Sequence, residues 1–272
     1  MRKIKILTVT TSGLAKKEGI STVILDYYSH FDKSKFDLDI IVSGEYSYEL
    51  VKAFQNIGVS IRCLPSRKYS FPKYIKSFIK LIQEQKYDAL YIHGSSAIMS
   101  VELLLTWLGG CKIRVVHSHN TTCDHRRADR FLRPIFYHLY TQALACGSDA
   151  GKWLYGNRKF TVIKNGRDLN TYRYNSEIRK IMRRNLCLED DTLAIGHVGN
   201  FNEQKNQRFL IDVIDNLQNR SEKAKIFLMG DGRTKSNIEQ LVRKRKLDDY
   251  VVFTGSVSNV SEMLQAMDVM VL

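Results

Sequence analysis

Two rounds of one rhythm run along this chain, and they constrain its fold more than any single motif. Short β-branched runs alternate with longer amphipathic segments. The runs 4–9, 38–42, 59–63, 89–92, 113–117, 143–146 and 161–163 read as strands, with helices near 19–31, 47–56, 72–85, 96–108, 128–141 and 148–155 between them. Strands apolar throughout and separated by helices are covered on both faces, the pattern of a parallel sheet. The rhythm breaks at VIKNGRDLNTYRY. There Asn165-Gly166 signals a turn, and the polar segment after it shows no clear core face until about residue 190. A second round follows, with strands 193–198, 225–229, 251–253 and from 269, and helices 207–217, 235–246 and 260–267. The expected class is α/β, in two doubly wound parallel-sheet domains over 1–168 and 169–272. The end, AMDVMVL, stops inside a strand pattern. The second domain is therefore expected to be incomplete, and the chain a fragment or the product of an early stop.

Composition narrows the partners. Of 272 residues, 44% are hydrophobic, enough for real cores, and the formal charge is +14. That charge calls for an anionic partner: a nucleic acid, an acidic membrane surface or a phosphorylated small molecule. No RNP, KH or zinc pattern is present, so nucleic acid is not expected. The five cysteines are scattered, odd in number and without a CxxC pair, which reads as a reducing, cytoplasmic setting. The first residues imitate a signal peptide, but Lys5 interrupts the short apolar run. No stretch approaches the roughly 18 apolar residues of a membrane span.

Ligands of such sheets bind beyond the carboxyl ends of the strands. After the first strand, Gly13 and Gly19 flank a loop that opens a helix, where backbone N–H groups suit a phosphate or a sugar hydroxyl. The spacing is not GxGxxG, so a dinucleotide site is not supported. In the second domain three successive strand ends open with small or polar residues. Gly199 and Asn200 precede a loop with Lys205 just ahead of a helix, Gly230 and Gly232 follow the next strand, and 255–259 follow the third. Lys205 and the helix N-terminus could share a diphosphate, although a solvated lysine is the plain alternative.

These residues carry a resemblance. HVGNFNEQKNQ, FLMGDG and VVFTGSVSNVSEMLQAMDVMVL resemble the donor half of family 4 glycosyltransferases of the GT-B fold. RVVHSHNTT and FTVIKNGRDLNTYRY resemble the other half and the linker. Bacterial capsular and exopolysaccharide enzymes are the nearest in pattern, and the resemblance covers essentially the whole chain. It implies two Rossmann-like domains facing a cleft, the first on the acceptor side and the second binding the nucleotide-sugar. It also implies retaining transfer with no metal or other cofactor, from a nucleotide donor (UDP first) to a saccharide, lipid-linked through a polyprenyl carrier. By position, Lys205 falls on the diphosphate-binding lysine, Gly19 and Gly199 on donor-side loops, and Val257 and Ser258 on the nucleobase contact. Gly230 and Asn200 fall among the donor-side residues, His119 on the histidine beside the transferred sugar, and Asn120 on the acceptor side.

Two departures are visible. Asn200 stands where the family usually has arginine, and it cannot neutralise a departing diphosphate; losing one charge-assisted contact costs about 1.5–3 kcal/mol. The family's two glutamates, seven residues apart, would come after residue 272. On both counts this chain is expected to transfer weakly or not at all. A catalytically inactive binding or partner protein is the alternative expectation, and a sugar-nucleotide epimerase a more distant one.

RVVHSHNTTCDHRRADR holds three histidines. Residues two apart on a strand share a face, so His117 and His119 could ligate one metal, with a third ligand from Cys123, Asp124 or His125. Alternatively both pack at a core edge. The favoured expectation is that His119 hydrogen-bonds the sugar with His117 inward and supporting, and that no metal is bound. Two basic, aromatic stretches remain. Residues 67–86 hold six Lys/Arg, with Arg62 just upstream, against one Glu, and aromatics at 69, 71, 74 and 78; residues 125–140 repeat the chemistry. They suggest a peripheral face on an anionic inner membrane surface; the alternative is a solvated lysine face over a core aromatic stripe.

Overall fold

A computed structural model describes residues 2–11, 13–14 and 19–272. The chain forms two compact units, Met1–Arg167 and Asp168–Leu272.

Unit 1 carries seven strands: β1 (Ile4–Thr10), β2 (Phe36–Ser43), β3 (Ser60–Leu64), β4 (Ala89–Gly94), β5 (Ile113–Ser118), β6 (Gln142–Ala145) and β7 (Thr161–Val162). All pair in parallel, in the order β3-β2-β1-β4-β5-β6-β7. Winding reverses between β1 and β4, and the crevice at their carboxyl ends is where such a sheet receives ligands. Helices α1 (Gly19–Ser29) and α2 (Tyr48–Asn56) cover one face through Ile24, Tyr28, Leu50 and Phe54. On the other face lie α3 (Phe71–Gln85), α4 (Ser100–Leu108), α5 (Arg126–Leu139) and α6 (Ser148–Tyr155). They pack there through Tyr74, Phe78, Leu103, Phe136 and Leu154. α2 has a Ser47 cap whose Oγ accepts from the Leu50 N–H, and α3 starts with Pro72 in its first turn.

Unit 2 carries β8 (Leu193–Val198), β9 (Ala224–Met229), β10 (Val251–Gly255) and β11 (Val269–Val271), parallel in the order β10-β9-β8-β11. Its helices are α7 (Ser176–Asn185), α8 (Gln207–Asn219), α9 (Lys235–Lys244) and α10 (Val260–Gln265). Ile211, Ile214 and Ile226 centre one core, and Phe227, Met229 and Met267 the other.

Two expectations are corrected. No turn forms at Asn165-Gly166; the chain runs on irregularly there, and the Tyr27 hydroxyl donates to the Lys164 carbonyl at 2.9 Å. The polar segment before residue 190 contains α7. Asn175 caps it, its Oδ1 accepting from Glu177 and Ile178 N–H. The helix escapes a hydrophobic-pattern reading because its buried face includes Arg183, whose guanidinium donates to the carbonyls of Ala266, Glu189 and Thr192. A buried arginine that finds carbonyls and a carboxylate substitutes for an apolar residue.

Candidate functional site

In unit 1 the site is built where β4 and β5 end beside β1. The register pairs His93 of β4 with His117 of β5. His119 lies two residues on, so it returns to the face of His117. The His117 and His119 rings stack at 4.3 Å between centroids, and His93 lies 5.4 Å from His117 and 5.1 Å from His119. The expected third neighbour, one of Cys123, Asp124 or His125, is thus replaced by His93, since the chain after Asn120 leaves the sheet and β4 lies alongside. His93 Nδ1 and His119 Nε2 share a hydrogen bond of 2.9 Å, and the Tyr91 hydroxyl meets His117 Nδ1 at 2.8 Å. The second ring nitrogens of His93 and His117 are buried without a partner.

Burial sets the charge of this cluster. It holds His93 well below the ordinary histidine value, with the neighbouring imidazoles adding to the effect. Burial also lowers His117 to about 3 and His119 to about 4. All three are neutral at pH 7. His93 and His117 are fully buried, whereas His119 keeps a solvent-facing edge. The Ser95 Oγ accepts from the His119 N–H at 3.3 Å, and Trp153 Nε1 donates to the Ser95 carbonyl, which ties the β4 and β5 loops together. Asn120, half-buried, turns its Oδ1 back onto the Thr121 N–H at 2.8 Å. Gly19 is the exposed first residue of α1, and a β-carbon there would meet nothing within 4 Å. Most of the loop between Gly13 and Gly19, residues 15–18, lies outside the described residues, as does Ser12.

In unit 2 the ends of β8, β9 and β10 are laced together. The Gly199 N–H donates to the Met229 carbonyl at 3.0 Å, and the Gly230 N–H to the Gly255 carbonyl at 2.8 Å. Gly230, at φ +148°, permits this approach, because a β-carbon would run into the Gly199 carbonyl oxygen. The Asn200 Oδ1 and the Phe201 backbone press on Gly232 in the same way. Beneath the loop, buried His197 accepts from Gln207 Nε2 at 3.2 Å and donates through Nδ1 to the Val271 carbonyl at 3.0 Å. Gln207 Nε2 also donates to the Asn200 carbonyl at 3.1 Å. Burial lowers the His197 pKa, partly offset by the Val271 carbonyl, and the Lys205 charge lowers it further. Lys205 is exposed one residue before the αL cap Asn206 of α8, with its stem 3.4 Å from where a Gly199 β-carbon would stand. Six expected residues, Gly199, Asn200, Lys205, Gly230, Val257 and Ser258, therefore follow adjacent strands at their carboxyl ends. Val257 leans on the apolar core and Ser258 is exposed. His197 and Gln207 escape a motif reading because they act from below the loop. A separate hollow of about 250 Å³ near Arg173, Tyr174 and Gln265 lies elsewhere in unit 2 and contains none of these residues.

Two parallel α/β units, each with polar residues gathered at strand ends beside its switch point, have the topology of the GT-B fold. The chain belongs to glycosyltransferase family 4: residues 17–171 match that family's model, and 192–272 match the model of glycosyl transferases group 1. It is 28% identical over 274 residues to EpsF of Bacillus subtilis, covering 96% of this chain and 71% of that protein. The UDP-Gal:alpha-D-GlcNAc-diphosphoundecaprenol alpha-1,3-galactosyltransferase of Escherichia coli is 24% identical over 290 residues, covering 99% and 73%. Anabaena HepE, crystallised in complex with UDP and glucose, superposes with a TM-score of 0.80 at 16% identity, covering 98% of this chain and 73% of that one.

Proposed function

We propose that the protein transfers a sugar from a UDP-sugar to a lipid-linked saccharide in cell-surface polysaccharide synthesis, with retention at the anomeric carbon and without a metal on the diphosphate. The observation that carries this reading is Lys205, an exposed ammonium whose stem lies over Gly199, the glycine that follows β8. A departing UDP leaves negative charge on its β-phosphate, and a cation preplaced at that charge is the electrostatic term that usually dominates such catalysis. As the bond from the anomeric carbon to the diphosphate breaks, the acceptor oxygen bonds that carbon and its proton passes to the leaving phosphate oxygen. His119, neutral and half-buried, hydrogen-bonds the sugar or acceptor hydroxyls from unit 1, with Asn120 next in the chain on the acceptor side. The donor-side residues are Gly19, Gly199, Asn200, Lys205, Gly230, Val257 and Ser258. Relatives support the substrate classes: the Escherichia coli enzyme is named for UDP-Gal and a diphosphoundecaprenol acceptor, and the Anabaena structure holds UDP.

Titration of UDP into wild type and Lys205→Ala by calorimetry tests the donor assignment. The charge-assisted contact predicts a loss of about tenfold or more in affinity. Equal affinities would remove Lys205 from the diphosphate site.

A peripheral position on the cytoplasmic face of the membrane belongs to the same reading. Among the described residues no helix is long and apolar enough to cross a membrane. The neighbouring helices α3, α4 and α5 expose Phe71 and Ile79, Trp107 and Leu108, and Phe131 and Ile135, interspersed with Lys73, Lys76, Lys80, Arg126, Arg127 and Arg130. Exposed aromatics and cations on one set of helices suit an anionic lipid surface.

A further inference from the structure

The unit 1 site contains more histidine than one hydrogen bond to a sugar requires. We propose that His93, His117 and His119 form a binding site for a late first-row divalent cation, with Zn²⁺ the ion that fits best. One ring nitrogen from each histidine lies within 4.8 Å of the others. His93 and His117 are fixed by the β4–β5 register, and His119, the residue after β5, is held by its N–H bond to Ser95 Oγ. Independently, the Nε2 atoms of His93 and His117 are buried with no hydrogen-bond partner. Buried polar atoms in folded proteins are almost always satisfied, and two orphans in one three-ring cluster point to a group that completes both.

The chemistry of the donors selects the ion. Three imidazoles with no carboxylate or thiolate among them offer nitrogen alone, which suits Zn²⁺, Co²⁺, Ni²⁺ and Cu²⁺ and disfavours Mg²⁺ and Ca²⁺. The Tyr91 hydroxyl on His117 Nδ1 is the outer partner that orients a ligating ring and leaves Nε2 to the metal. Ligands of a tetrahedral zinc stand about 3.3 Å apart at bond lengths of about 2.0–2.1 Å. Nitrogens as far apart as 4.8 Å therefore close in by up to about 1.5 Å, and the His93–His119 hydrogen bond gives way to two metal bonds. Three protein ligands leave a fourth position for water or a hydroxyl. Resting on the placement of His119 beside the sugar, occupation withdraws that ring from the substrate, so the metal opposes transfer.

Co²⁺ and Zn²⁺ binding to the chelator-treated full chain provides the test. One equivalent of Co²⁺ per chain should give tetrahedral d–d absorption, displaced by one equivalent of Zn²⁺. His93→Ala and His119→Ala should each weaken Zn²⁺ at least tenfold, while His125→Ala leaves it unchanged. Circular dichroism verifies that each variant is folded, and His119, half-exposed, is the variant that spares the core. If His93→Ala does not fold, Zn²⁺-dependent imidazole ¹⁵N shifts of the wild type identify the ligands. Absence of stoichiometric binding, or binding that the His119 variant does not weaken, overturns the site. Zn²⁺ binding with unchanged transfer would instead overturn the role given to His119 and leave the metal site standing.

Discussion

At the residue scale, single atoms at strand ends decide most of what this protein can do. Gly230 is one such position, because the Gly199 carbonyl occupies the space of its side chain. Gly230→Ala forces both a left-handed φ and a backbone shift, and should cost about 2 kcal/mol or more in urea denaturation. Asn200 is another. Exposed beside the same loop, it leaves a charge unfilled that the family's usual arginine would provide. Asn200→Arg should raise the rate of transfer by one to two powers of ten, since a charge-assisted contact is worth about 1.5–3 kcal/mol; an unchanged kcat would show that the position does not face the leaving group. Deeper in unit 1, the Glu102 carboxylate is buried with Arg67 at 2.7 Å and the Tyr74 hydroxyl at 3.1 Å. Glu102→Ala leaves the part-exposed Arg67 guanidinium with the Ile98 carbonyl alone and should destabilise the fold by about 1.5–3 kcal/mol, measured by denaturant unfolding.

At the scale of elements, the basic stretches resolve into two populations. On α3, Tyr74 and Phe78 are core, while Phe71 and three lysines are exposed. Arg62 and Arg67 are committed to Asp39 and Glu102. On α5, Phe136 is core and Phe131 is 80% exposed, so the aromatic stripe is divided between the core and solvent. A second element, α7, depends on acid chemistry. Asp268 receives Arg179, Arg183 and the Ala194 N–H. Burial pushes its pKa up, but the Ala194 N–H and the two guanidinium groups together outweigh burial and hold it below the ordinary aspartate value. His197 is likewise held low by burial. Both groups bind protons more weakly folded than unfolded, so both stabilise unit 2 at neutral pH. That stability is lost first as pH falls below about 6.5, where the unfolded histidine protonates, and further below about 4. Unfolding of the wild type against pH should show both losses; Asp268→Asn should be less stable at pH 7 and lose less at the lower one.

At the scale of the whole molecule, the +14 charge acts on association and not on the fold. Pelleting with anionic vesicles should be strong at low salt and fall steeply at high salt, and Phe131→Ser with Arg130→Glu should weaken it without altering the thermal transition. Neutral vesicles binding equally well would detach the charge from the interaction. The sequence by itself determined the alternation of strands and helices, the class of fold, and the glycine and lysine positions at the ends of β8 and β9, because these follow from local periodicity and from residues adjacent in the chain. Tertiary structure decided the rest. The buried arginine that anchors α7 breaks the hydrophobic pattern a reader relies on. His93 lies 24 residues before His117 and carries no motif; only hydrogen bonding of β4 to β5 in one register brings it there. Strand register is a long-range choice, set by which rows of side chains fill the core, and it turned a pair of histidines into a cluster of three.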